Sequence, residues 1–129
     1  RAAFVGASHA LCRVVGFGAR TLDPDGVPSH LAAADIDIHV LNIWTSPESG
    51  ATYPAEWEIE LPKRGWSIRL TPSLADQELQ TQATTGVTYW EGEVLVSGVV
   101  NGAPTDGLGY VELTGYATSD STRTPDVAP

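Results

Sequence analysis

The chain has 129 residues, contains no Met, and carries a formal net charge of −9, with 7 Lys and Arg against 16 Asp and Glu. This charge argues against nucleic-acid binding and against an electrostatic anchor on anionic lipid, since both need a basic face. The length predicts one domain with a single hydrophobic core, and the start at Arg1 without Met predicts a mature form, a trimmed form or one domain of a longer protein.

The sequence leaves the cellular compartment open. Its longest apolar stretches are far shorter than the ~20 residues of a membrane-spanning helix, and no signal-peptide pattern begins the chain. Cys12 is the single Cys and has no partner for an intrachain disulfide, so oxidising and reducing compartments are both possible. We expect a soluble acidic domain without a transmembrane segment, either cytoplasmic or exported.

Short strands separated by turns are predicted throughout, because 13 Gly and 9 Pro interrupt segments rich in Val, Ile, Thr, Trp and Tyr. Residues 11–19 predict the first strand, residues 23–26 (DPDG) a turn, and residues 36–44 the next strand. Helical character is limited to residues 31–35 and 73–80, each about two turns or less.

The clearest strand lies at residues 56–61, where Trp, Ile and Leu alternate with three Glu. This period of two predicts one apolar face and one carboxylate ladder. A turn at residues 63–65 (KRG) leads to a second alternating strand at residues 66–70, which we expect to pair antiparallel with the first. Arg69 would then lie opposite a Glu on the outer face, a contact worth a few tenths of a kcal/mol to ~1 kcal/mol.

The last predicted element is a long hairpin. Residues 86–100 predict one bent strand, Asn101 and Gly102 a short polar loop, and residues 109–117 the returning strand. Six to eight strands with regularly spaced turns are typical of an all-β sandwich or barrel. Residues 118–129 are rich in Ser, Thr, Pro and Asp, which predicts a flexible tail.

Common cofactor and metal motifs are absent from the sequence. The chain has no phosphate-binding loop with Lys, no dinucleotide fingerprint before a helix, no paired Cys and no His-Glu-x-x-His pair. We therefore predict no cofactor and no metal site. The three His lie scattered at positions 9, 30 and 39, and no spacing favours a hydrolase triad.

Two orientations are possible for residues 86–93 (GVTYWEGE), in which Tyr89 and Glu91 share one face of a strand while Trp90 and Val94 share the other. If the Trp90 face points inward, the carboxylate is solvated and structural. If the Tyr89 face points inward, Glu91 becomes a buried acid with a raised pKa that can donate or accept a proton. Tyr89 and Glu91 are thus the candidate catalytic residues, although a solvated Glu is the commoner case.

Aromatic residues on the strands have two interpretations. The four Trp, at positions 44, 57, 66 and 90, lie in or beside predicted strands, where an aromatic side chain usually fills the core. The alternative is an apolar ligand pocket. The candidate ligand-binding residues are Trp44, Trp57, Trp90, Tyr53 and His39, although a His that alternates with apolar neighbours is more often structural.

Three segments together resemble a known family. They are residues 44–57 (WTSPESGATYPAEW), 83–94 (ATTGVTYWEGEV) and 107–116 (GLGYVELTGY). In this order and spacing they resemble the carboxyl-terminal lipocalin-like domain of the AttH and carotenoid 1,2-hydratase superfamily. The resemblance extends back through residues 23–36.

This resemblance implies an all-β, lipocalin-like antiparallel β-barrel over residues 1–117, followed by the flexible tail at 118–129. It also implies that the domain is the second of two such barrels, so the partners would be an amino-terminal sister barrel and a small hydrophobic ligand near the junction. Some members of the family resemble cofactor-independent hydratases or cyclases, in which an Asp near a Tyr supplies the acid and a His and a Trp are also required. Tyr89 and Glu91 match the Tyr-x-acid pattern, with Glu in place of Asp, and Trp57 matches the Trp, with no His beside it.

Three functions follow as expectations. The first is a lipocalin-like domain that binds a small hydrophobic molecule, or completes a pocket for one beside the sister barrel. The second is a cofactor-independent hydratase or cyclase that acts on an isoprenoid-like or polyketide-like substrate by acid catalysis from Glu91 with Tyr89. The third is a purely structural partner barrel.

Overall fold

The structure, a computed structural model, describes residues 3–5, 19–22, 25–81, 83–84 and 86–117. Its strands are β1 (Ala3–Val5), β2 (Ala19–Leu22), β3 (Pro28–Leu31), β4 (Asp37–Thr45), β5 (Thr52–Leu61), β6 (Trp66–Pro72), β7 (Glu78–Gln80), β8 (Thr88–Val100) and β9 (Ala103–Thr114). Single turns of 3₁₀ helix cover Ala33–Asp35 and Pro62–Arg64.

One seven-stranded sheet contains most of the described strands, in the order β1-β9-β8-β6-β5-β4, with β7 also paired to β8. Strands β2 and β3 form a separate antiparallel pair. The all-β, lipocalin-like fold class predicted from the sequence is confirmed, and every pair in the large sheet is antiparallel except β1 with β9. In the described part of the chain the sheet is not closed into a barrel, because β4 pairs only with β5.

The hydrophobic core lies on one face of this sheet. Alternate residues of β5, β6, β8 and β9 turn inward, as the period of two requires. The buried members of these strands are Tyr53, Trp57, Ile59, Leu61, Ile68, Leu70, Trp90, Val94, Val111 and Leu113. Leu31, Ile36 and Ala51 extend the cluster from the neighbouring segments.

The hairpin of β5 and β6 forms as predicted. Ile59 lies opposite Ile68, and Gly65 closes the turn with a φ of 63°, a left-handed conformation that suits glycine. Arg69 lies opposite Glu58 in the register, but its Nη2 pairs with Glu56 Oε1 at 2.7 Å, one position along the same face. The charge pairing predicted for the outer face is therefore present as a diagonal contact.

The hairpin of β8 and β9 also follows the prediction, with longer arms. Its pairing runs without interruption from Tyr89 opposite Thr114 to Val100 opposite Ala103. Asn101 and Gly102 form the turn with φ values of 52° and 81°, which suits the right-handed twist of the two strands. The returning strand begins at Ala103, before the predicted residue 109, and ends at Thr114.

The helical prediction for residues 73–80 is wrong. These residues form bends followed by β7, and Glu78–Gln80 pair antiparallel with the start of β8. Helical character at residues 31–35 is limited to the 3₁₀ turn Ala33–Asp35. Three predictions fall wholly or partly outside the described residues: residues 11–18 of the strand predicted at 11–19, the first half of the turn predicted at 23–26, and the tail predicted at 118–129.

Candidate functional site

The two orientations considered for the start of β8 are resolved by burial. Trp90 is 1% exposed and Val94 is 0% exposed, so the Trp90 face points inward. Glu91 is half-buried on the opposite face and lies across from Glu112 of β9. The orientation that would bury Glu91 inside the sheet is therefore not the one adopted, and the predicted pair Tyr89 and Glu91 lies on the outer face.

Glu91 has a phenol partner on that outer face, and the partner is Tyr110. The pKa of the Tyr110 hydroxyl is raised. Partial desolvation is the largest cause, followed by the charge of Glu91 and by the hydrogen bond between Glu91 and the phenol. A carboxylate that accepts a hydrogen bond from a largely exposed phenol is a stable surface arrangement. The catalytic roles of Glu91 and Tyr89 stay predictions.

The aromatic candidates do come together, on the inner face. The rings of Trp44 and Tyr53 are stacked with centroids 6.0 Å apart, and the ring of Tyr116 is tilted against Tyr53 at a centroid distance of 5.4 Å. Trp57 and Trp90 meet edge to face at 6.4 Å. These distances suit favourable aromatic pairs. Four of the five predicted ligand-binding residues therefore lie in these two sets of ring contacts within one hydrophobic core, which together we call the inner aromatic group.

His39 does not belong to this aromatic group. Its side chain is 57% exposed on the outer face of β4, and its Nε2 lies 3.7 Å from Glu60 Oε2. In the register His39 lies opposite Glu58. The structure thus places His39 beside the carboxylate ladder, away from the inner aromatic rings.

Glu78 is the most heavily hydrogen-bonded carboxylate among the described residues. It accepts hydrogen bonds from Ser49 Oγ at 2.6 Å, Tyr53 Oη at 2.8 Å and Ser46 Oγ at 2.9 Å. Gln80 Nε2 adds a fourth at 3.1 Å. We call Glu78 and these four donors the Glu78 network.

The network fixes the protonation states of its two central groups. Burial acts to raise the pKa of Glu78, but the hydrogen bonds from its four donors outweigh burial, so that the pKa is lowered. Burial, followed by the hydrogen bond and charge of Glu78, raises the pKa of Tyr53 far above its usual range. At neutral pH Glu78 is therefore an anion and Tyr53 a neutral donor, an arrangement that holds structure and supplies no acidic proton.

The donors of the network are organised by the loop between β4 and β5. Buried Ser46 donates to Glu78 while its Oγ accepts the backbone N–H groups of Glu48 and Ser49 at 3.2 and 3.1 Å. Ser49 Oγ in turn accepts the N–H of Ala51 at 3.1 Å. Sequence reasoning missed Glu78 because it assigned residues 73–80 to helical structure. The available signal was the loop at residues 46–50, because it lies in the segment 44–57, one of the three that resemble a family.

A cleft of about 640 Å³ lies elsewhere in the fold, where the β2–β3 pair meets the turns after β5 and β8. Trp66, Leu22 and Val100 supply its apolar lining. The polar lining consists of Thr21, Ser29, Lys63, Arg64 and Asn101. The volume falls within the usual range for small-molecule sites.

The polar walls of the cleft are held by specific contacts. Trp66 Nε1 donates to Asn101 Oδ1 at 3.0 Å, and Arg64 Nη1 donates to Thr21 Oγ1 at 2.6 Å. Lys63 Nζ forms an ion pair with Asp35 at 2.6 Å. Sequence reasoning placed Lys63 and Arg64 in a turn but missed the cleft, since none of the predicted ligand-binding residues lines it.

Within the described ranges, no three His, Cys, Asp or Glu side chains lie close enough together to hold a metal ion. No helix in the described part of the chain is long and apolar enough to cross a membrane.

The chain is similar to known proteins over most of its length. A family model for AttH-like proteins matches residues 13–116. Among solved structures, an AttH protein from Nitrosomonas europaea is similar at 31% sequence identity with a TM-score of 0.62, over 77% of this chain and 29% of that chain. This chain therefore spans less than a third of the length of that protein. None of the curated proteins matches the chain.

Proposed function

Because the chain belongs to the AttH-like family, we propose that it is a lipocalin-like domain that binds a small, largely apolar molecule. The observation that carries this proposal is the 640 Å³ cleft, in which Trp66, Leu22 and Val100 offer apolar surface beside a few polar groups. Binding sites for small molecules commonly combine these two features.

The close packing of the inner aromatic group supports the cleft, rather than the interior of the core, as the binding site for the ligand. Tyr53, Trp57 and Trp90 are 1%, 5% and 1% exposed, so their rings already pack against protein. A ligand between them would have to displace close-packed side chains at a cost of several kcal/mol. A direct role in ligand binding for these residues, and for Trp44 and His39, stays a prediction.

A matched pair of variants tests the cleft. Leu22 lines the cleft and is 63% exposed, while Leu108 is 60% exposed on the outer face of β9. Replacing either Leu by Asp adds one charge at little cost in folding, because both side chains are largely in water. Only Leu22→Asp places that charge where an apolar ligand would bind.

The measurement is a fluorescence titration with N-phenyl-1-naphthylamine, a neutral probe that brightens in apolar surroundings. We expect saturable binding that Leu22→Asp weakens by about tenfold, equivalent to about 1.4 kcal/mol, and that Leu108→Asp leaves unchanged. Equal binding by both variants and the unaltered protein would remove the cleft as the site.

A sister barrel is the second part of the proposal. The Nitrosomonas europaea relative has a chain much longer than the region matched here, which leaves room for a further domain. We propose that in the longer protein such a domain covers the open side of the cleft and completes the pocket. The same probe should then bind more tightly to the two-domain form than to this chain. Equal affinities would mean that the further domain adds nothing to the binding site of this chain.

The geometry favours acid catalysis less than binding. Glu91 lies on the outer face, where its neighbours are Glu112 and the largely exposed Tyr110 rather than a dry pocket. Protonation of an alkene needs a strong acid in a dry pocket with aromatic groups to stabilise the cation. Turnover by the Glu91→Gln variant of the longer protein tests the hydratase or cyclase alternative.

A further inference from the structure

We propose that the cleft selects a carboxylate-bearing amphiphile, with the Arg64 guanidinium as the receptor for the carboxylate. This inference rests on the proposed binding function and names the chemical class of its ligand. Arg64 lines the cleft, so its guanidinium can receive the head group of a ligand whose remainder covers the apolar surface.

Arg64 differs from the other described cations. Lys63 is paired with Asp35 and Arg69 with Glu56, while Arg20 is exposed. Arg64 is half-buried, and no described carboxylate lies within ion-pair distance of it. Its charge adds to the lowering of the Asp35 pKa, but that carboxylate is paired with Lys63, so Arg64 is a partly buried guanidinium without an ion pair of its own among the described residues.

The hydrogen bonding of Arg64 leaves most of its donors for a ligand. Its Nη1 donates to Thr21 Oγ1 at 2.6 Å, which anchors one arm of the guanidinium at the wall of the cleft. A guanidinium has five N–H donors in a rigid fork that matches the two oxygens of a carboxylate. The anchored fork is therefore preorganised for a planar anion.

The rest of the lining suits the remainder of an amphiphile. Trp66 and Val100 are half-buried in the cleft, and Leu22 is exposed there, so a hydrocarbon chain can cover apolar surface that water now contacts. Each buried methylene contributes about 0.8 kcal/mol. Lys63 remains occupied by Asp35, so the carboxylate is assigned to Arg64.

The test uses cis-parinaric acid, a fluorescent fatty acid, and its methyl ester, which keeps the hydrocarbon chain but replaces the charged carboxylate by a neutral group with one added methyl. We expect the acid to bind the unaltered protein ~10–100-fold more tightly than the ester, the range for a charged hydrogen bond. Arg64→Gln should remove that preference while the ester affinity stays constant. Arg69→Gln is the matched control, since it deletes an Arg that lies outside the cleft.

The outcomes separate this inference from the binding proposal. Equal binding of acid and ester by the unaltered protein would overturn the carboxylate preference and leave apolar binding intact. Failure of both probes to bind would overturn the binding proposal itself. If Arg64→Gln does not fold, as judged by circular dichroism, Arg64→Lys replaces it. That variant keeps the charge and loses the fork, so it should bind the acid less tightly than Arg64 does, and undiminished affinity would refute the bidentate role.

Discussion

The hydrogen bond from Tyr53 to Glu78 should stabilise the fold measurably, and Tyr53→Phe isolates it. The substitution removes only the hydroxyl, whose oxygen lies 2.8 Å from Glu78 Oε2, and keeps the ring that contacts the rings of Trp44 and Tyr116. A hydrogen bond to a charged group contributes about 1.5–3 kcal/mol. Because Glu78 keeps its other donors, we expect a loss near the lower end of that range, about 1.5–2 kcal/mol.

The expected loss corresponds to a clear change in thermal unfolding. For a chain of this length, 1 kcal/mol shifts the midpoint by about 3–5 °C, so Tyr53→Phe should lower it by about 5–10 °C. Tyr89→Phe is the matched control, since Tyr89 is half-buried on the outer face, and it should change stability by less than about 0.5 kcal/mol.

The pH dependence gives a second check with a definite sign. Glu78 has a folded pKa below its ordinary value of 4.5, so its contribution is present above pH 4.5 and is lost as the pH falls through the lower folded pKa. The difference in unfolding free energy between the unaltered protein and Tyr53→Phe should stay constant from about pH 7 to 5 and shrink below that. Urea titrations followed by circular dichroism measure it.

Two results would refute this reasoning. One is equal stability of Tyr53→Phe and the unaltered protein at pH 7, and the other is a difference that grows as the pH falls. A double-mutant cycle with Glu78→Gln locates the effect, because the two substitutions should be less than additive if the groups interact. If the losses in unfolding free energy from the two substitutions are strictly additive, Tyr53 and Glu78 do not interact.

Three further predictions concern the inner and outer faces of β8. Gly98→Ala should cost more than about 3 kcal/mol or prevent folding, because the added Cβ would meet the backbone of β6 and because Gly98 has a φ of 155°. Gly92→Ala should cost only about 1–2 kcal/mol, because its Cβ would meet the hydrogen-bonded carboxamide of Gln77, which can move aside. Comparable urea midpoints for these two variants would contradict this order. Trp90→Phe should cost about 2–4 kcal/mol by chemical denaturation, through a cavity and loss of the 2.9 Å hydrogen bond from its Nε1, and a loss under 1 kcal/mol would argue against tight packing. Glu91→Gln should leave stability within about 0.5 kcal/mol, and in the longer protein it should abolish turnover only if Glu91 is the catalytic acid, so unchanged turnover would exclude that role.

Local patterns predicted the hairpins well. The alternation at residues 56–61 and 66–70 determines which side chains turn inward, and Asn101 with Gly102 determines the sharp turn between β8 and β9. In both cases the relevant residues are close in sequence, so the physical cause lies within the segment itself. Alternation also grouped Trp90 with Val94, but it cannot tell which face packs against the rest of the protein.

The Glu78 network and the cleft depend on residues that are far apart in sequence. Residues 73–80 (SLADQELQ) suit a short helix locally, but Glu78 bonds to donors 25–32 residues earlier in the chain, and those bonds accompany the pairing of β7 with β8. The cleft likewise joins residues from three separate parts of the chain, at positions 21, 22 and 29, at 63, 64 and 66, and at 100 and 101. Neither feature has a periodic pattern, so propensity alone could not identify it.

The convergence of hydroxyl donors on Glu78 also affects how this end of the sheet opens. β7 has only three residues, and alone it would be expected to fray in fast local fluctuations. The carboxylate of its first residue, Glu78, however, is hydrogen-bonded to both the 46–50 loop and the first part of β5. Detaching β7 therefore breaks contacts with the 46–50 loop, with β5 and with its paired strand β8 at once. The amide hydrogens of these segments should exchange with solvent together, as one cooperative unit.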